Sequence, residues 1–346
     1  MNATPASNTR VLLASRPHGE PTQDNFTLES APMPIPGEGQ VLLRTIYLSL
    51  DPYMRGRMND AKSYAAPVEI GHVMEGGTVA EVTESNDPSL SPGDFVLSYL
   101  GWQAFGVASA KHLRKLEPSR APISTAVGAL GMPGFTAYAG LLEIGKPKPG
   151  ETVAVAAASG PVGSAVGQIA KIKGAKTIGI AGGPEKVAYL TELGFDVALD
   201  HRSPTFREDL KAASPDGIDV YFENVGGAVW DAVRPRLNTY ARVPLCGLVA
   251  TYNDTALPDG PDRSGALMAA ILTKSITIRG FIQNEFVPTH YKDFQNDVSE
   301  WIQDGSFTYR EDIVDGLENA PEAFFGMLKG KNFGKLLVQV GPDPTR

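Results

Sequence analysis

ETVAVAAASGPVGSAVGQIAKIKGAKTIGIAGGPEK, residues 151–186, is the stretch whose reading decides the fold. Its opening, ETVAVAAAS, has the unbroken apolar character of a strand buried on both faces. A glycine-punctured turn follows, Ala158-Ser159-Gly160-Pro161-Val162-Gly163. Residues 162–173 then repeat as a helix, with Val162, Val166, Ile169, Ala170 and Ile172 on or near one face. TIGIA is a second apolar strand. Strand, turn, helix and strand in this order make a βαβ unit, and the turn is a G-x-G-x-x-G whose first glycine is alanine. Gly160 lets the backbone approach a pyrophosphate, and Gly163 lets the helix pack closely on the sheet. The helix N-terminus, opening with Pro161 and Val162, attracts phosphate charge. A purely structural turn is the plain alternative, and the position between strand and helix favours dinucleotide binding.

The second strand ends in Gly182-Gly183, where NAD-selective chains place an acid that bonds the adenosine ribose and repels a 2′-phosphate. Glycines leave that space open, and Lys186 stands just inside the next helix. His201 and Arg202, after the third strand, are further donors, although the sequence does not say which way they point. The plain alternative for Lys186 is a solvated helix-face lysine. A missing acid beside a cation predicts NADPH as the cofactor.

The rhythm continues outward. Helices are expected near residues 185–193, 206–212 and 228–237, alternating with the strands VALD, IDVYFEN, RVPLCG and SITIRGF, the last at residues 275–281. Such alternation means a parallel sheet. Before about residue 130 the pattern is all-β: VLLASRP, NFTLES, QVLLRTIYLSL, GTVAEVTE and GDFVLSYL are short β-prone runs separated by Pro, Gly, Asn and Asp. Pro32, Pro34 and Pro36 break any helix there. After a helix at about residues 291–302, the segments PEAFFGMLKG and KLLVQV lack the βαβ rhythm and are expected to return to the first domain. The expectation is an α/β protein: a discontinuous, mainly β, barrel-like domain at residues 1–130 and 306–346, and a dinucleotide-binding domain at 131–305.

The chain has 346 residues and a formal net charge of −8, which argues against a nucleic-acid or anionic-membrane partner. The one cysteine, Cys246, excludes internal disulfides and cysteine-rich zinc sites. No apolar run has the length of a membrane span, and MNATPASNTR reads as a polar leader without the h-region of a secretory signal. A cytoplasmic location is expected.

A barrel-like domain joined to this cofactor domain resembles the medium-chain dehydrogenase/reductase superfamily, whose fold pairs a GroES-like barrel with a Rossmann-type parallel sheet. Many members hold a catalytic zinc with Cys and His and a structural zinc with clustered cysteines. Here IGHVMEGG resembles the superfamily's Gly-His-Glu motif and leaves His72 as the one surviving ligand candidate. The place of its cysteine partner, in SLDPYMRGRM, holds Asp51. Asp51, His72 and Glu75 form a weak metal set; His72 reads better as a packed or hydrogen-bonded histidine, and no metal is expected.

SLDPYMRGRM, GMPGFTAYAGL, AASGPVGSAVGQIAKIKG, YFENVGG, CGLVATYN and MLKGKNFGKLLVQV span about residues 48 to 340. Together and in order they resemble the zinc-independent, NADPH-dependent prostaglandin reductase and 2-alkenal (double-bond) reductase family. The resemblance implies reduction of a carbon–carbon double bond conjugated to a carbonyl, by hydride transfer to the β-carbon and protonation of the enolate. Such chemistry runs without a metal where hydrogen bonds stabilise the oxyanion. Tyr252 matches the family tyrosine near the nicotinamide, as donor or orienting group, and Tyr53 matches a tyrosine lining the substrate pocket. The plain reading of either is a half-buried tyrosine at a domain seam.

The cofactor contacts implied are residues 160–163 for the pyrophosphate and Lys186 for the 2′-phosphate. Asn224, residues 246–252 (Cys246, Gly247 and Tyr252 among them), Phe281, Ile282 and Gln283 match the nicotinamide side. Cys246 also reads as a core residue, and Asn224 and Asn332 as turn residues. Asn332 matches a polar contact from the tail, and Met132 and Thr136 fall in the segment facing the cofactor. Two features depart from the family: His201 stands where prostaglandin-reducing members have a tyrosine, and AGGPEK lacks a hydroxyl or acid beside its second glycine. The alternatives are a quinone reductase of the same superfamily and a non-catalytic NADPH-binding sensor. Substrate choice would rest on loops around Tyr53, residues 63–69 and residues 253–264. Family resemblance also implies a homodimer through the edge strand at 275–281.

Overall fold

The structure, a computed structural model, describes residues 7–256 and 261–346; residues 257–260 of the expected substrate loop and the first part of the polar leader lie outside them. The chain divides into two compact units, Met1–Gly128 with Glu311–Arg346, and Ala129–Arg310.

The first unit begins with an antiparallel pair, β1 (Ser7–Leu13) and β2 (Phe26–Pro32). β3 (Gln40–Ser49) follows, then the short α1 (Met54–Arg57), β4 (Thr78–Ser85), β5 (Phe95–Ser98), β6 (Phe105–Ser109) and β7 (Arg114–Leu116). β3 is buried at all but its Gln40 and Arg44 positions, as a strand bonded along both edges must be. Its pairing with β4 shifts register between Leu42 and Leu43 and between Thr45 and Tyr47, while its other edge pairs with β6 without a shift. Such irregularities bend a strand locally.

The second unit opens with α2 (Met132–Ala139), continued by a π-helical turn at Gly140–Gly145. Then the βα alternation runs through β8 (Thr152–Ala156), α3 (Pro161–Ile172), β9 (Lys176–Ala181), α4 (Pro184–Glu192), β10 (Val197–Asp200), α5 (Phe206–Ala213), β11 (Ile218–Phe222), α6 (Gly227–Val233), β12 (Leu237–Leu245), α7 (Ser264–Lys274), β13 (Thr277–Gly280) and α8 (Val287–Gln303). All six strands are parallel, in the order β10-β9-β8-β11-β12-β13. This is the doubly wound dinucleotide-binding sheet, with its switch point between β8 and β11. Ala154, Ala156, Ile178, Ile180, Tyr221 and Val243 form the heart of its core. α7 was not expected from the sequence pattern. It is apolar all round, it buries none of its residues, and Met268 and Leu272 are 64 % and 80 % exposed.

The tail supplies β14 (Glu311–Asp315), α9 (Ala320–Leu328) and β15 (Lys335–Gln339). β15 inserts between β14 and β3, completing the order β14-β15-β3-β4-β5-β7 in the first unit. Phe324 of α9 meets the fully buried Trp102 edge-on at 5.7 Å, and Trp102 stacks on Phe26 at 5.6 Å. The tail is therefore part of the first unit's core.

Candidate functional site

At the end of β8 the chain turns through Ala157, whose φ is +52°, and Ala158 N–H donates to the Ile180 carbonyl at 3.0 Å. A Cβ at Gly163 would overlap the Ala157 carbonyl oxygen and the Ala158 Cα, so only glycine lets α3 start this close to the strand. Gly160, the residue before α3, supplies no side-chain cap, and Pro161 at the first helical position has no N–H to satisfy. The N–H groups of Val162 and Gly163 are left for an anionic ligand in the manner of a pyrophosphate site.

β9 leads into Gly182 and Gly183, the latter at φ +94°. The space expected to be open at Gly182 is filled. A Cβ there would stand 2.8 Å from both His201 Nε2 and Arg202 Nε. The bare glycine thus admits an imidazole and a guanidinium, and both turn toward Gly182, a direction the sequence left open. Asp200 organises this turn: its Oδ1 accepts Gly183 N–H at 3.1 Å and Arg202 N–H at 2.9 Å. Burial opposes ionisation of Asp200, yet those N–H groups and the adjacent His201 and Arg202 hold it below the usual carboxylate range. Lys186 lies in the first turn of α4.

The opposite side of the switch point is built around a residue the sequence reading passed over, Glu223, which is 3 % exposed. Its Oε1 accepts Val225 N–H at 2.7 Å, Gly226 N–H at 2.8 Å and the Tyr221 hydroxyl at 3.2 Å, while Oε2 is buried with no hydrogen-bond partner among the described residues. Burial raises this carboxyl above its ordinary range, against the pull of those N–H donors. The Glu223 carbonyl accepts Cys246 N–H at 2.9 Å and Gly247 N–H at 3.2 Å. Asn224 Nδ2 donates to the Ala156 carbonyl at 3.0 Å, fastening the ends of β8 and β11. A Cβ at Gly247 would stand 3.1 Å from the Tyr252 hydroxyl and 3.4 Å from the Asn224 carbonyl oxygen. Asn224, Cys246, Gly247 and Tyr252 therefore converge. Burial, then the Glu223 carboxyl, pushes the Cys246 thiol up to about 12.

Phe281 meets Phe222 edge-on at 6.1 Å, both rings pressing on Gly140 where no Cβ would fit. Ile282 beyond it is 41 % exposed, and Gln283 opens a 3-10 turn with its amide on Asn284. Thr136 is buried, and its hydroxyl donates to the Met132 carbonyl at 2.8 Å inside α2.

In the first unit, Tyr53 precedes α1 and is half-buried. Burial, then the Asp51 and Glu75 carboxylates, pushes its hydroxyl well above the usual phenol range, so it stays protonated and can donate. Asp51 accepts from Ser49 Oγ and from Lys335 Nζ at 2.9 Å, and Lys335 Nζ also donates to the Leu50 carbonyl at 2.7 Å. Arg57, 2 % exposed, donates to the Ala65 carbonyl at 2.5 Å, faces Glu75 at 3.3 Å, and lies 4.3 Å from the Tyr64 ring centre. It anchors the loop around residues 63–69. Lys335 and Arg57 also escaped the sequence reading; the one available signal was a lysine heading the apolar run KLLVQV. Asn332 Nδ2 donates to the Gly334 carbonyl at 2.9 Å, within its own turn.

Residues 9–116 match the family described as the N-terminal domain of oxidoreductase, and residues 161–304 the one described as zinc-binding dehydrogenase. The chain is 57 % identical over 337 residues to the NADPH-dependent curcumin reductase of Escherichia coli K12, covering 97 % of this chain and 98 % of that protein. It is 42 % identical over 325 residues to prostaglandin reductase 1 of Rattus norvegicus, covering 93 % and 95 %. The chain belongs to the zinc-independent medium-chain dehydrogenase/reductase family. Among family structures, that of CurA in complex with NADPH from Vibrio vulnificus superimposes with a TM-score of 0.93 at 52 % identity, covering 97 % of this chain and 100 % of that one.

The zinc named in one of those family descriptions does not fit this member's residues. Asp51 is engaged by the Lys335 ammonium, and Glu75 faces Arg57. His72, expected to be packed or hydrogen-bonded, is instead 68 % exposed in its side chain, with Nδ1 3.6 Å from Glu69; the tight turn at Gly71 points it outward. Cys246 lies in the other unit, and among the described residues no group of three or more His, Cys, Asp and Glu could hold a metal. A dinucleotide does fit: the cradle at Gly163, the uncapped α3 turn and the cations over Gly182 are each what its phosphates require.

Proposed function

We propose that this family member reduces the carbon–carbon double bond of α,β-unsaturated aldehydes and ketones. The cofactor is NADPH. The observation that carries the reading is the convergence of the Tyr252 hydroxyl, bare Gly247 and Asn224 at the carboxyl end of β11 and β12, joined to the end of β8 through Asn224. The printed activities of the relatives, curcumin reductase and prostaglandin reductase, support it.

Residues 160–163 hold the pyrophosphate, with Gly160 and Gly163 clearing the approach and Pro161 and Val162 starting the helix. Lys186, His201 and Arg202 receive the 2′-phosphate. Asn224, Cys246, Gly247, Phe281, Ile282 and Gln283 hold the nicotinamide side, with Met132, Thr136 and Asn332 as further contacts. Bound NADPH supplies the hydride that the β-carbon accepts. Tyr252 donates a hydrogen bond to the substrate carbonyl, where negative charge grows as the enolate forms; a fixed donor there stabilises the transition state more than the ground state. Tyr53, held protonated, offers a second hydroxyl that donates and does not act as base. A proton taken from solvent at the α-carbon completes the reduction.

Two further parts of this reading concern assembly and place. The edge strand β13 and the exposed apolar residues of α7 support a homodimer in which a second copy covers both, because an uncovered edge invites uncontrolled pairing. Sedimentation at micromolar concentration checks this, and a monomer there would remove it. The single cysteine, and the finding that no helix among the described residues is long and apolar enough to cross a membrane, fit a cytoplasmic enzyme.

The test is loss of reduced-nicotinamide absorbance with a short alkenal, an aryl enone, a quinone and a saturated aldehyde, each with NADPH and NADH, with and without chelator. Oxidation by alkenal or enone but not by saturated aldehyde, indifferent to chelator, is expected. Turnover of the quinone alone would favour the quinone-reductase alternative. No turnover despite NADPH binding would leave a cofactor-binding sensor, and chelator-sensitive turnover of the saturated aldehyde would mean a zinc enzyme.

A further inference from the structure

We infer that His201 is a proton-linked specificity residue: it receives the 2′-phosphate as an imidazolium, so that binding of NADPH, and not of NADH, takes up a proton. The inference rests on the NADPH reading of this site.

The geometry is that of Gly182. His201 Nε2 and Arg202 Nε both lie 2.8 Å from the point where a side chain at this position would begin. In NAD-selective relatives of the fold, an acid at this strand end faces the ribose hydroxyls. Here two nitrogen donors replace it. Arg202 carries its charge at every pH of interest, whereas an imidazole donates from both nitrogens only when protonated.

The surroundings of His201 set which form it takes without ligand. Asp200 and Arg202 face it from its own turn and Lys186 from α4; the end of β9 beside it contributes Ala181, Gly182 and Gly183, which carry no titratable side chain. Asp200 is the one acid among these, and its Oδ1 already accepts two backbone N–H groups. His201 keeps an exposed edge, but its packing over Gly182 desolvates the ring. That desolvation and the charges of Arg202 and Lys186 outweigh Asp200 and hold the imidazole below the usual histidine range. At neutral pH it is therefore mostly neutral.

A phosphate monoester brings a charge of about −2 at neutral pH. An opposite charge within hydrogen-bond reach raises a histidine by roughly 1–3 pH units. Binding therefore raises His201 from its lowered free value, and a proton enters from solvent at any pH between the two. The linkage has a definite sign. NADPH affinity falls as pH rises between the free and bound values, by up to about tenfold per pH unit, while NADH affinity stays level. The ligand's own phosphate, whose ionised form the cations favour, would release protons, so the direction of exchange tells the two apart.

Titration calorimetry of the full-length protein at pH 7.5, in buffers of differing ionisation enthalpy, counts the protons. Net proton uptake is expected with NADPH and close to none with NADH. His201→Gln should abolish the uptake and flatten the pH dependence of NADPH affinity. His201→Lys should abolish the uptake and keep the NADPH preference at high pH. Equal proton exchange for the two cofactors, or uptake that persists in His201→Gln, would overturn the inference. Preference for NADPH without proton uptake would sink this inference alone; no preference for NADPH over NADH would sink the cofactor reading with it.

Discussion

The two sides of the switch point in the second unit are made by contrasting means. On the side proposed for the 2′-phosphate the machinery is bare backbone and exposed nitrogen donors: Gly182 and Gly183 clear a surface, and His201 and Arg202 lie across it. On the side proposed for the nicotinamide the machinery is a buried carboxyl, Glu223, that ties Val225 and Gly226 with its side chain and Cys246 and Gly247 with its carbonyl. Exposed charges are solvated whether or not a ligand is present, so errors there alter affinity and leave the fold alone. A buried carboxyl and the N–H groups it satisfies have no water to fall back on, so errors there alter the fold first. Specificity and stability are thus kept on opposite sides of one sheet edge.

The hardest blow to both sides is Gly163→Val at the turn they share. Its side chain would collide with the backbone at Ala157 and Ala158, and a loss of about 3 kcal/mol or more is expected by thermal unfolding, with NADPH binding lost as well. Next, Glu223→Ala strands the Val225 and Gly226 N–H groups and should cost about 2–4 kcal/mol, whereas Glu223→Gln should stay within about 1 kcal/mol. The pH dependence sharpens this. Burial raises the Glu223 pKa on folding, so the proton's contribution to stability is present at low pH and fades as pH rises through the raised value. Wild type should lose stability relative to Glu223→Gln over that range, and parallel pH profiles would mean that Glu223 is ionised throughout.

Tyr252→Phe should lower kcat by about 100-fold with NADPH affinity unchanged, since one oxyanion donor is removed. An undiminished kcat would take the catalytic role from Tyr252. The smallest effect expected belongs to the cationic side. Arg202→Gln should weaken NADPH about tenfold, leave NADH alone and leave the melting temperature unchanged, as loss of one charge-assisted hydrogen bond at an exposed site requires. A large fall in melting temperature would break the contrast between the two sides.

How much of this was legible follows the range over which each feature is encoded. The phosphate turn is local, and Gly160, Gly163 and the start of α3 stand where residues 151–173 imply. The missing acid at Gly182 was legible and so were His201 and Arg202 as candidate donors, but their direction was not, because the pairing of β9 with β10 is what brings His201 to Gly182. α7 gave no helical stripe since it is apolar on every side, and β14, EDIVD, is too charged and short to read as a strand. Glu223 and Lys335 were invisible for a shared reason. Buried charges are exceptions to the rules by which a sequence is read, and partners such as Asp51 come from distant strands.

β15 lies between β14 and β3, in the interior of a sheet whose other strands nearly all come from the first third of the chain. On the ribosome, all of Ala129–Arg310 emerges before that strand does. The cofactor unit can thus finish folding while β3 still shows an unpaired edge, and the older half of the protein waits on the younger. A chain cut before Lys335 would leave the nucleotide fold whole and its host unclosed.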